Sequence, residues 1–174
     1  KKVVFSRKTA LLINWALTNR CNFHCQYCDI WKSESHELDT RQVFFIINEL
    51  SRCGNIGIAF SGGEPLLRED LGEIIDYCKS RGIYTKVTTN GSLVIKCIEK
   101  LKNVDLVRIS LDGPRQIQDI HRQKESYHSV IEAVKALKNK NSNVLINCVI
   151  TKLNVNYIPD ILLQAQQLGT RIYF

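Results

Sequence analysis

Short runs of apolar and β-branched residues recur along the 174-residue chain, and a longer segment with apolar residues at helical spacing follows each run. Apolar runs bounded by turn residues are typical of buried strands, and apolar residues three and four apart are typical of amphipathic helices. The pattern predicts six strands, at residues 11–18, 56–60, 84–88, 105–111, 144–150 and from 171 to the end. It predicts five helices between them, at residues 39–53, 69–81, 93–101, 127–138 and 158–168.

Strands that alternate with helices predict an α/β fold with parallel pairing, right-handed crossovers and helices packed outside. An open doubly wound sheet and a barrel both fit this order. In either architecture, chemistry gathers where strands end. The unusual sequences follow the first five strands, at residues 21–28, 61–65, 89–91, 110–113 and 151–154. We therefore expect five loops to converge on one rim.

The chain is 44% hydrophobic and 24% charged, which excludes disordered, collagen-like and coiled-coil proteins. No apolar run reaches the roughly 18 residues that span a bilayer, so we expect a soluble, cytoplasmic protein without a membrane partner. The net charge is +7, and its bases are spread over predicted helix exteriors. Because these bases neither cluster nor alternate with aromatic residues, a nucleic-acid partner is not favoured.

Three of the seven cysteines, Cys21, Cys25 and Cys28, stand in a C-x3-C-x2-C arrangement after the first predicted strand. Iron–sulfur clusters are held by thiolates, usually four, so three cysteines would leave one iron open to a small ligand. A structural zinc site usually has four ligands, and the nearest further candidates are His24 and His36. Three reduced cysteines without a metal are the remaining alternative, although a loop offers them no packing role.

This loop resembles the signature of the radical S-adenosylmethionine (SAM) superfamily, in which an aromatic residue such as Tyr27 precedes the third cysteine. The resemblance implies that Cys21, Cys25 and Cys28 hold a [4Fe–4S] cluster whose fourth iron chelates the amino and carboxylate groups of SAM. It implies reductive cleavage of SAM to a 5′-deoxyadenosyl radical, which abstracts a substrate hydrogen. For the fold, it favours a partial (β/α)6 barrel with parallel strands inside, truncated at the sixth strand.

The string Ser61-Gly62-Gly63-Glu64-Pro65 follows the second predicted strand. Two glycines let the backbone approach a ligand closely, and Glu64 offers a negative charge suited to an ammonium group. Taken alone, the string is compatible with a tight turn that bears an exposed acid. Its position after the cysteine loop resembles the family's motif for the methionine amino group, which implies that role for Gly62, Gly63 and Glu64.

Ser110 and Asp112 end the fourth predicted strand, and Arg122 follows twelve residues after Ser110. In the part of the superfamily with this Ser-Leu-Asp-Gly string, the serine and a downstream arginine contact the SAM carboxylate, so the resemblance implies cofactor contacts here. Ser110 as a plain strand end and Arg122 as a surface base are the alternatives. Thr89 and Asn90 are further candidate contacts on the same rim, although an Asn-Gly pair is also an ordinary turn.

The remaining cysteines and two histidines receive no role in this scheme. We expect Cys78, Cys97 and Cys148 to pack in the core, and Cys53 is left open. We expect His121 and His128 to lie on the surface.

The motifs look most like the MoaA/SPASM-like branch, which contains peptide-modifying maturases and cofactor-biosynthesis enzymes. The sequence at residues 58–61 lacks the arginine that precedes the double glycine in the branch member that rearranges GTP, which argues against that substrate. An unknown peptide or small molecule is the expected substrate, and flavodoxin or ferredoxin is implied as reductant. Without Met, and below the roughly 250 residues of a full barrel, residues 1–174 are expected to be a core fragment.

Two rival functions remain open at this point. One is a non-catalytic zinc-binding module built on the same cysteine loop. The other is an enzyme of ordinary barrel chemistry without SAM, which would need a positioned acid or base such as Glu64 or Asp112.

Overall fold

The computed structural model describes residues 11–34, 37–54 and 56–174, and six strands within them form one parallel sheet. The strands are β1 (Leu11–Thr18), β2 (Ile56–Gly62), β3 (Tyr84–Thr89), β4 (Leu106–Ser110), β5 (Val144–Asn147) and β6 (Arg171–Tyr173). Each strand pairs with the next one along the chain. A doubly wound sheet reverses its strand order at a switch point, and this sheet does not. The order confirms the predicted partial barrel of parallel strands.

Six helices connect or follow these strands: α1 (Thr40–Ser51), α2 (Leu71–Ser80), α3 (Val94–Cys97), α4 (Arg115–His121), α5 (Ser126–Asn139) and α6 (Ile158–Gln167). Short 3-10 turns lie at Ile30–Lys32, Pro65–Leu67, Ile98–Leu101 and Val155–Tyr157. The start of α1 shows how the sequence sets a boundary. The Asp39 carboxylate accepts the N–H of Gln42, and the Gln42 side chain accepts the N–H of Asp39 in return. This reciprocal capping satisfies two of the donors that a helix N-terminus leaves unpaired.

Two helices differ from the sequence pattern. The third predicted helix is instead the four-residue α3, which continues as a 3-10 turn. The pattern does not predict α4 at all, because that helix has only seven residues and no apolar stripe. Its Ile117 is buried, whereas its Ile120 is exposed.

Strands β4 and β5 end earlier than the predicted 105–111 and 144–150. One further backbone bond follows each strand, from Leu111 to Asn147 and from Cys148 to Tyr173, and side chains then replace the neighbouring strand as hydrogen-bond partners. The N–H of Asp112 donates to Oε1 of Gln118 at 2.7 Å. The N–H of Val149 donates to Oδ1 of Asp112 at 2.9 Å. The ladder therefore stops where these two loops begin to bend around polar groups.

The two faces of the sheet have different environments. One face packs against the helices, and its core includes Ile58, Val87, Val107 and Ile146. The other face carries the alternate residues and is exposed at its two ends, as at Leu12 and Tyr173. Because helices surround the outside of a barrel, this second face is the barrel interior.

Some sequence-based expectations cannot be placed on this fold. His36 and the bases Lys1, Lys2, Arg7 and Lys8 lie outside the described residues. Within the described ranges, no helix combines the length and the apolar character that crossing a membrane requires.

Candidate active site

The predicted rim exists, and its loops surround a cavity of about 200 Å³ at the C-terminal edge of the sheet. The lining comes from the ends of β1 to β5 and the loops after them: Cys21, Phe23, Cys25, Tyr27, Cys28, Ile30, Ser61, Gly62, Gly63, Thr88, Thr89, Asn90, Ser110, Arg122, Asn147 and Val149. Two of the predicted site residues, Glu64 and Asp112, do not line it.

The cysteine loop presents all three thiols to this cavity. A turn in which the N–H of Cys28 donates to the carbonyl of Cys25, at 3.1 Å, brings two of them to one side of the loop. The N–H of Gln26 donates to the carbonyl of His121 at 3.0 Å, which attaches the loop to the end of α4. Burial raises the pKa of both the Cys21 and the Cys25 thiols. The uncharged thiol is thus the favoured form until a ligand compensates the buried charge.

The same loop does not form a site for a single metal ion. Among the described residues, no group of three or more His, Cys, Asp or Glu side chains is arranged to hold one. His24 is exposed and packs edge-on against Trp31, with ring centroids 4.4 Å apart. This arrangement gives no support to the zinc alternative.

The double glycine after β2 packs directly against the backbone that carries the cysteines. The N–H of Gly63 donates to the carbonyl of Thr18 at 2.7 Å, and the N–H of Glu64 donates to that of Arg20 at 2.8 Å. A Cβ on Gly63 would lie 2.1 Å from the Arg20 oxygen, and one on Gly62 would lie 2.2 Å from the Thr18 oxygen. Only glycine fits at either position, and Gly62 also has a positive φ of 113°. These contacts set the separation between the cysteine loop and the β2 loop.

Glu64 is not the exposed acid that a plain tight turn would bear. Its carboxylate is fully buried and accepts three hydrogen bonds, from Thr89 Oγ1 (2.9 Å) and from the N–H groups of Asn90 (2.8 Å) and Leu66 (3.0 Å). Burial raises the pKa of Glu64, and the three hydrogen bonds oppose that rise. The side chain therefore joins the β2 and β3 loops, and it does not line the cavity.

Thr89 and Asn90 do line the cavity, and they also hold its walls together. Besides the bond to Glu64, Thr89 Oγ1 accepts the N–H of Gly91 at 3.1 Å. The amide of Asn90 donates to Oδ1 of Asn22 at 2.9 Å, which lies within the cysteine loop. The β3 loop is therefore connected both to the β2 loop and to the cysteine loop.

Asp112 is also fully buried, and its carboxylate does not line the cavity. It accepts from Nε and Nη2 of Arg122 at 2.6 and 3.2 Å, and from the hydroxyl of Tyr27 at 2.9 Å. The ring Nδ1 of His121 lies 3.0 Å away, and the N–H of Val149 donates at 2.9 Å. Asp112 thus joins three loops and holds the guanidinium of Arg122 at the cavity.

His121 contradicts the expectation of a surface position. It is buried at the end of α4, its ring centroid is 4.6 Å from that of Tyr27, and its Nε2 lies 2.8 Å from Thr151 Oγ1. Gln118, His121 and Arg122 are spaced at i, i+3 and i+4, which places them on one side of α4 and its C-terminal end. The sequence pattern does not predict this grouping, because α4 lacks the apolar stripe that would identify it as a helix. The other histidine, His128, is exposed as expected.

Arg122 and Ser110 are the last two predicted site residues, and both line the cavity. Burial alone would lower the pKa of Arg122, and the Asp112 carboxylate more than offsets this, so the pKa is raised. Among the described residues, Nη1 of Arg122 and Oγ of Ser110 have no hydrogen-bond partner. These are the donors that the protein leaves for a ligand.

The other cysteines do not line the cavity. Cys78 and Cys148 are buried, and burial raises the pKa of each thiol to about 12. Cys53 and Cys97 are partly buried against the same core. The expected packing role is confirmed for Cys78, Cys97 and Cys148, and Cys53 shares it.

Residues 15–165 match the family model of the radical SAM superfamily. Among curated proteins, Fe-coproporphyrin III synthase of Methanosarcina barkeri is 33% identical over 164 residues, which cover 90% of this chain and 41% of that protein. Mycofactocin maturase MftC of Mycolicibacterium smegmatis is 31% identical over 169 residues, which cover 93% of this chain and 43% of that protein. The chain thus spans about two fifths of the length of these relatives.

Solved structures share the fold. The structure of anSMEcpe with bound AdoMet and Kp18Cys peptide has a TM-score of 0.79 at 22% identity, over 94% of this chain and 50% of that one. SuiB of Streptococcus suis bound to precursor peptide SuiA has a TM-score of 0.79 at 18% identity, over 97% of this chain and 38% of that one. Since the family model and the relatives above 30% identity extend over most of its length, the chain belongs to the radical SAM superfamily, whose members are enzymes that use a [4Fe–4S] cluster and SAM.

Proposed function

We propose that Cys21, Cys25 and Cys28 hold a [4Fe–4S] cluster and that SAM binds beside it in the same cavity. The observation that carries this proposal is that the three thiols, the double glycine and Arg122 line one cavity. The donor set fits, because Fe–S clusters take thiolate ligands and three thiolates leave one iron open. The raised pKa of Cys21 and Cys25 is also consistent, because cluster binding supplies the positive charge that stabilises buried thiolates.

When held by Cys21, Cys25 and Cys28, the cluster would supply the one electron for reductive cleavage of SAM to methionine and a 5′-deoxyadenosyl radical, which would abstract hydrogen from the substrate. The chain's own residues bind and orient. Gly62 and Gly63 leave backbone open to the cavity, because no side chain covers them. Backbone carbonyls of this loop are the proposed partners of the SAM ammonium, because the Glu64 carboxylate already accepts three hydrogen bonds from the protein.

Arg122 is the proposed partner of the SAM carboxylate. Two of its nitrogens are held by Asp112, which fixes the plane of the guanidinium and leaves Nη1 as the third donor. A buried, always-charged guanidinium binds carboxylates through fixed geometry. Ser110 Oγ, on the same side of the cavity, is a second donor for the carboxylate or the ribose. Asp112, His121 and Tyr27 act as positioning residues for Arg122.

The proposal extends to the substrate class, the electron donor and the place of this chain in a longer enzyme. The relatives named above include a cofactor synthase and a peptide maturase, which supports a small molecule or a peptide as the substrate class. We also propose that flavodoxin or ferredoxin donates the electron, in the cytoplasm. Residues 1–174 would then be the radical SAM core of a longer enzyme.

The test is anaerobic reconstitution of the full-length protein with iron and sulfide, followed by reduction with dithionite in the presence of SAM. We expect a brown protein, and 5′-deoxyadenosine as a product. Cys25→Ala should lose the iron of this cluster, while Cys97→Ala, which removes a thiol outside the cavity, should retain it. Unchanged iron in Cys25→Ala, or no 5′-deoxyadenosine from reconstituted wild-type protein, would contradict the proposal.

A further inference from the structure

All three charged residues in the six strands are cationic and lie on the face that forms the barrel interior. They are Lys86 in β3, Arg108 in β4 and Arg171 in β6, and the strands contain no Asp or Glu. The alternate, helix-facing positions of the same strands are apolar except for Thr85 and Thr89. Because the charged residues of this face share one sign, the face attracts anions.

The pairing register brings these residues together. Arg108 pairs with Leu145, and Leu145 pairs with Arg171, so the two arginines stand in one row across the sheet. Thr88 belongs to the same row as the partner of Arg108 on the other side. Lys86 is two residues before Thr88, one row closer to the N-terminal edge of the sheet. The result is a cationic patch that consists of Lys86, Arg108 and Arg171.

Arg108 is the unusual member of this patch. Its Nε is buried and has no hydrogen-bond partner among the described residues. Its guanidinium carbon lies 4.9 Å from the ring centroid of Tyr173, which covers one side of the fork. A buried donor without a partner is costly and rare in folded proteins. The guanidinium fork matches carboxylate and phosphate groups, so an oxyanion bound to Arg108 would accept the hydrogen bond that Nε can donate.

The patch lies next to the cavity described above. Ser110 follows Arg108 by two residues on the same face, a separation of about 6.6 Å along a strand. Ser110, Thr88 and Asn147 all line the cavity. Lys86 and Tyr84 line a second cavity of about 340 Å³ near the opposite edge of the sheet. Arg108 therefore lies on the barrel-interior face, two residues along β4 from a residue that lines the proposed SAM site.

We propose that the substrate carries an anionic oxygen group, a carboxylate or a phosphate, which binds to Arg108 with charge support from Lys86 and Arg171. This inference rests on the proposed function, because it treats the barrel interior as the substrate site. It narrows the substrate class to anions. The Arg108 contact fixes one end of the substrate, and the rest of the molecule extends toward the cavity.

The test measures anion binding by calorimetry on the full-length, cluster-loaded protein with SAM and without reductant. Tricarballylate serves as the carboxylate probe and inorganic pyrophosphate as the phosphate probe. At least one of them should bind wild-type protein, and the preferred probe identifies the group. Arg108→Met should weaken that binding at least about tenfold, and Arg108→Lys, which keeps the charge but not the fork, should give an intermediate affinity. The control is Lys135→Gln, which removes an exposed charge on α5 and should leave the affinity unchanged.

Three results would overturn the inference. They are no binding of either probe to wild-type protein, equal affinity in wild type and Arg108→Met, and an equal loss in Lys135→Gln, which would indicate non-specific attraction. A folded Arg108→Met variant is verified by its iron content and thermal unfolding, since methionine replaces the side chain with an apolar one of similar length. Failure of the proposed function is seen separately, as wild-type protein that forms no 5′-deoxyadenosine.

Discussion

The two sides of the cavity are each organised around a buried carboxylate, but the carboxylates are held in different ways. On the side of β2 and β3, Glu64 accepts hydrogen bonds from two backbone N–H groups and one hydroxyl, all of them neutral. On the side of β4 and β5, Asp112 forms an ion pair with Arg122 and also contacts His121 and Tyr27. The Glu64 carboxylate is therefore held by neutral donors, mostly backbone N–H groups, and the Asp112 carboxylate is held mainly by the charged side chain of Arg122.

The different ways of holding the two carboxylates give the two sides of the cavity different properties. Backbone donors and glycines allow the β2 loop to lie against the cysteine loop with little side-chain volume between them. The ion pair around Asp112 holds an arginine at the cavity with its charge retained. The Glu64 side is thus suited to close approach, and the Asp112 side to binding an anion. Four substitutions, two on each side of the cavity, test this difference.

Removal of the Asp112 carboxylate should have the largest effect. Asp112→Ala leaves the buried Arg122 charge without its partner, and breaking a buried pair in this way costs about 3–5 kcal/mol. The free energy of unfolding, measured with urea, checks this. Asp160→Ala, which changes an exposed acid on α6, is the control and should change stability by less than about 0.5 kcal/mol. A similar small change in Asp112→Ala would show that the ion pair does not stabilise this side.

Gly63→Ala should be next in size. The added Cβ would lie 2.1 Å from the Arg20 carbonyl oxygen, so the backbone of one of the two loops must move. We expect a loss of about 1–3 kcal/mol in unfolding free energy, as for other overpacked sites, together with reduced iron content after reconstitution. Gly57→Ala is the matched control, because its nearest backbone atom is 3.5 Å away. Normal iron content in Gly63→Ala would contradict the close approach.

Tyr27→Phe should have a smaller effect on the Asp112 side. It removes one hydroxyl donor from a carboxylate that keeps three other protein partners, at a cost of about 1–2 kcal/mol. Thermal unfolding measures the change. Tyr77→Phe removes an exposed hydroxyl that accepts from Arg81, and its effect should stay below about 0.5 kcal/mol. Equal effects of the two changes would remove Tyr27 from the network.

Glu64 gives a dependence on pH. Because the pKa of Glu64 is raised in the folded protein, the folded state keeps a proton that the unfolded state releases. Its contribution to stability is therefore fully present below the unfolded pKa of about 4.3 and is lost as pH rises through the folded value. Relative to Glu64→Gln, the wild-type protein should lose stability over that window by up to about 1.4 kcal/mol per pH unit. A stability difference that is constant with pH would contradict this.

Local patterns in the sequence predict the strands, most helices and the cysteine loop, because each depends on residues close together in the chain. The parallel order and the shared rim follow from the alternation of strands and helices. The buried states of Glu64, Asp112 and His121 do not follow from it. They depend on hydrogen-bond partners 25 or more residues away, such as Thr89 for Glu64 and Thr151 for His121, or on the short α4, whose seven residues lack an apolar stripe.

Electron paramagnetic resonance of the dithionite-reduced cluster tests whether the cluster and SAM are in contact in one cavity. The spectrum is recorded on full-length, reconstituted protein before and after SAM is added. SAM bound at the open iron should change the spectrum of the cluster, and Cys25→Ala should abolish the signal of this cluster. A reduced cluster whose spectrum is identical with and without saturating SAM would show that SAM does not bind at this cluster.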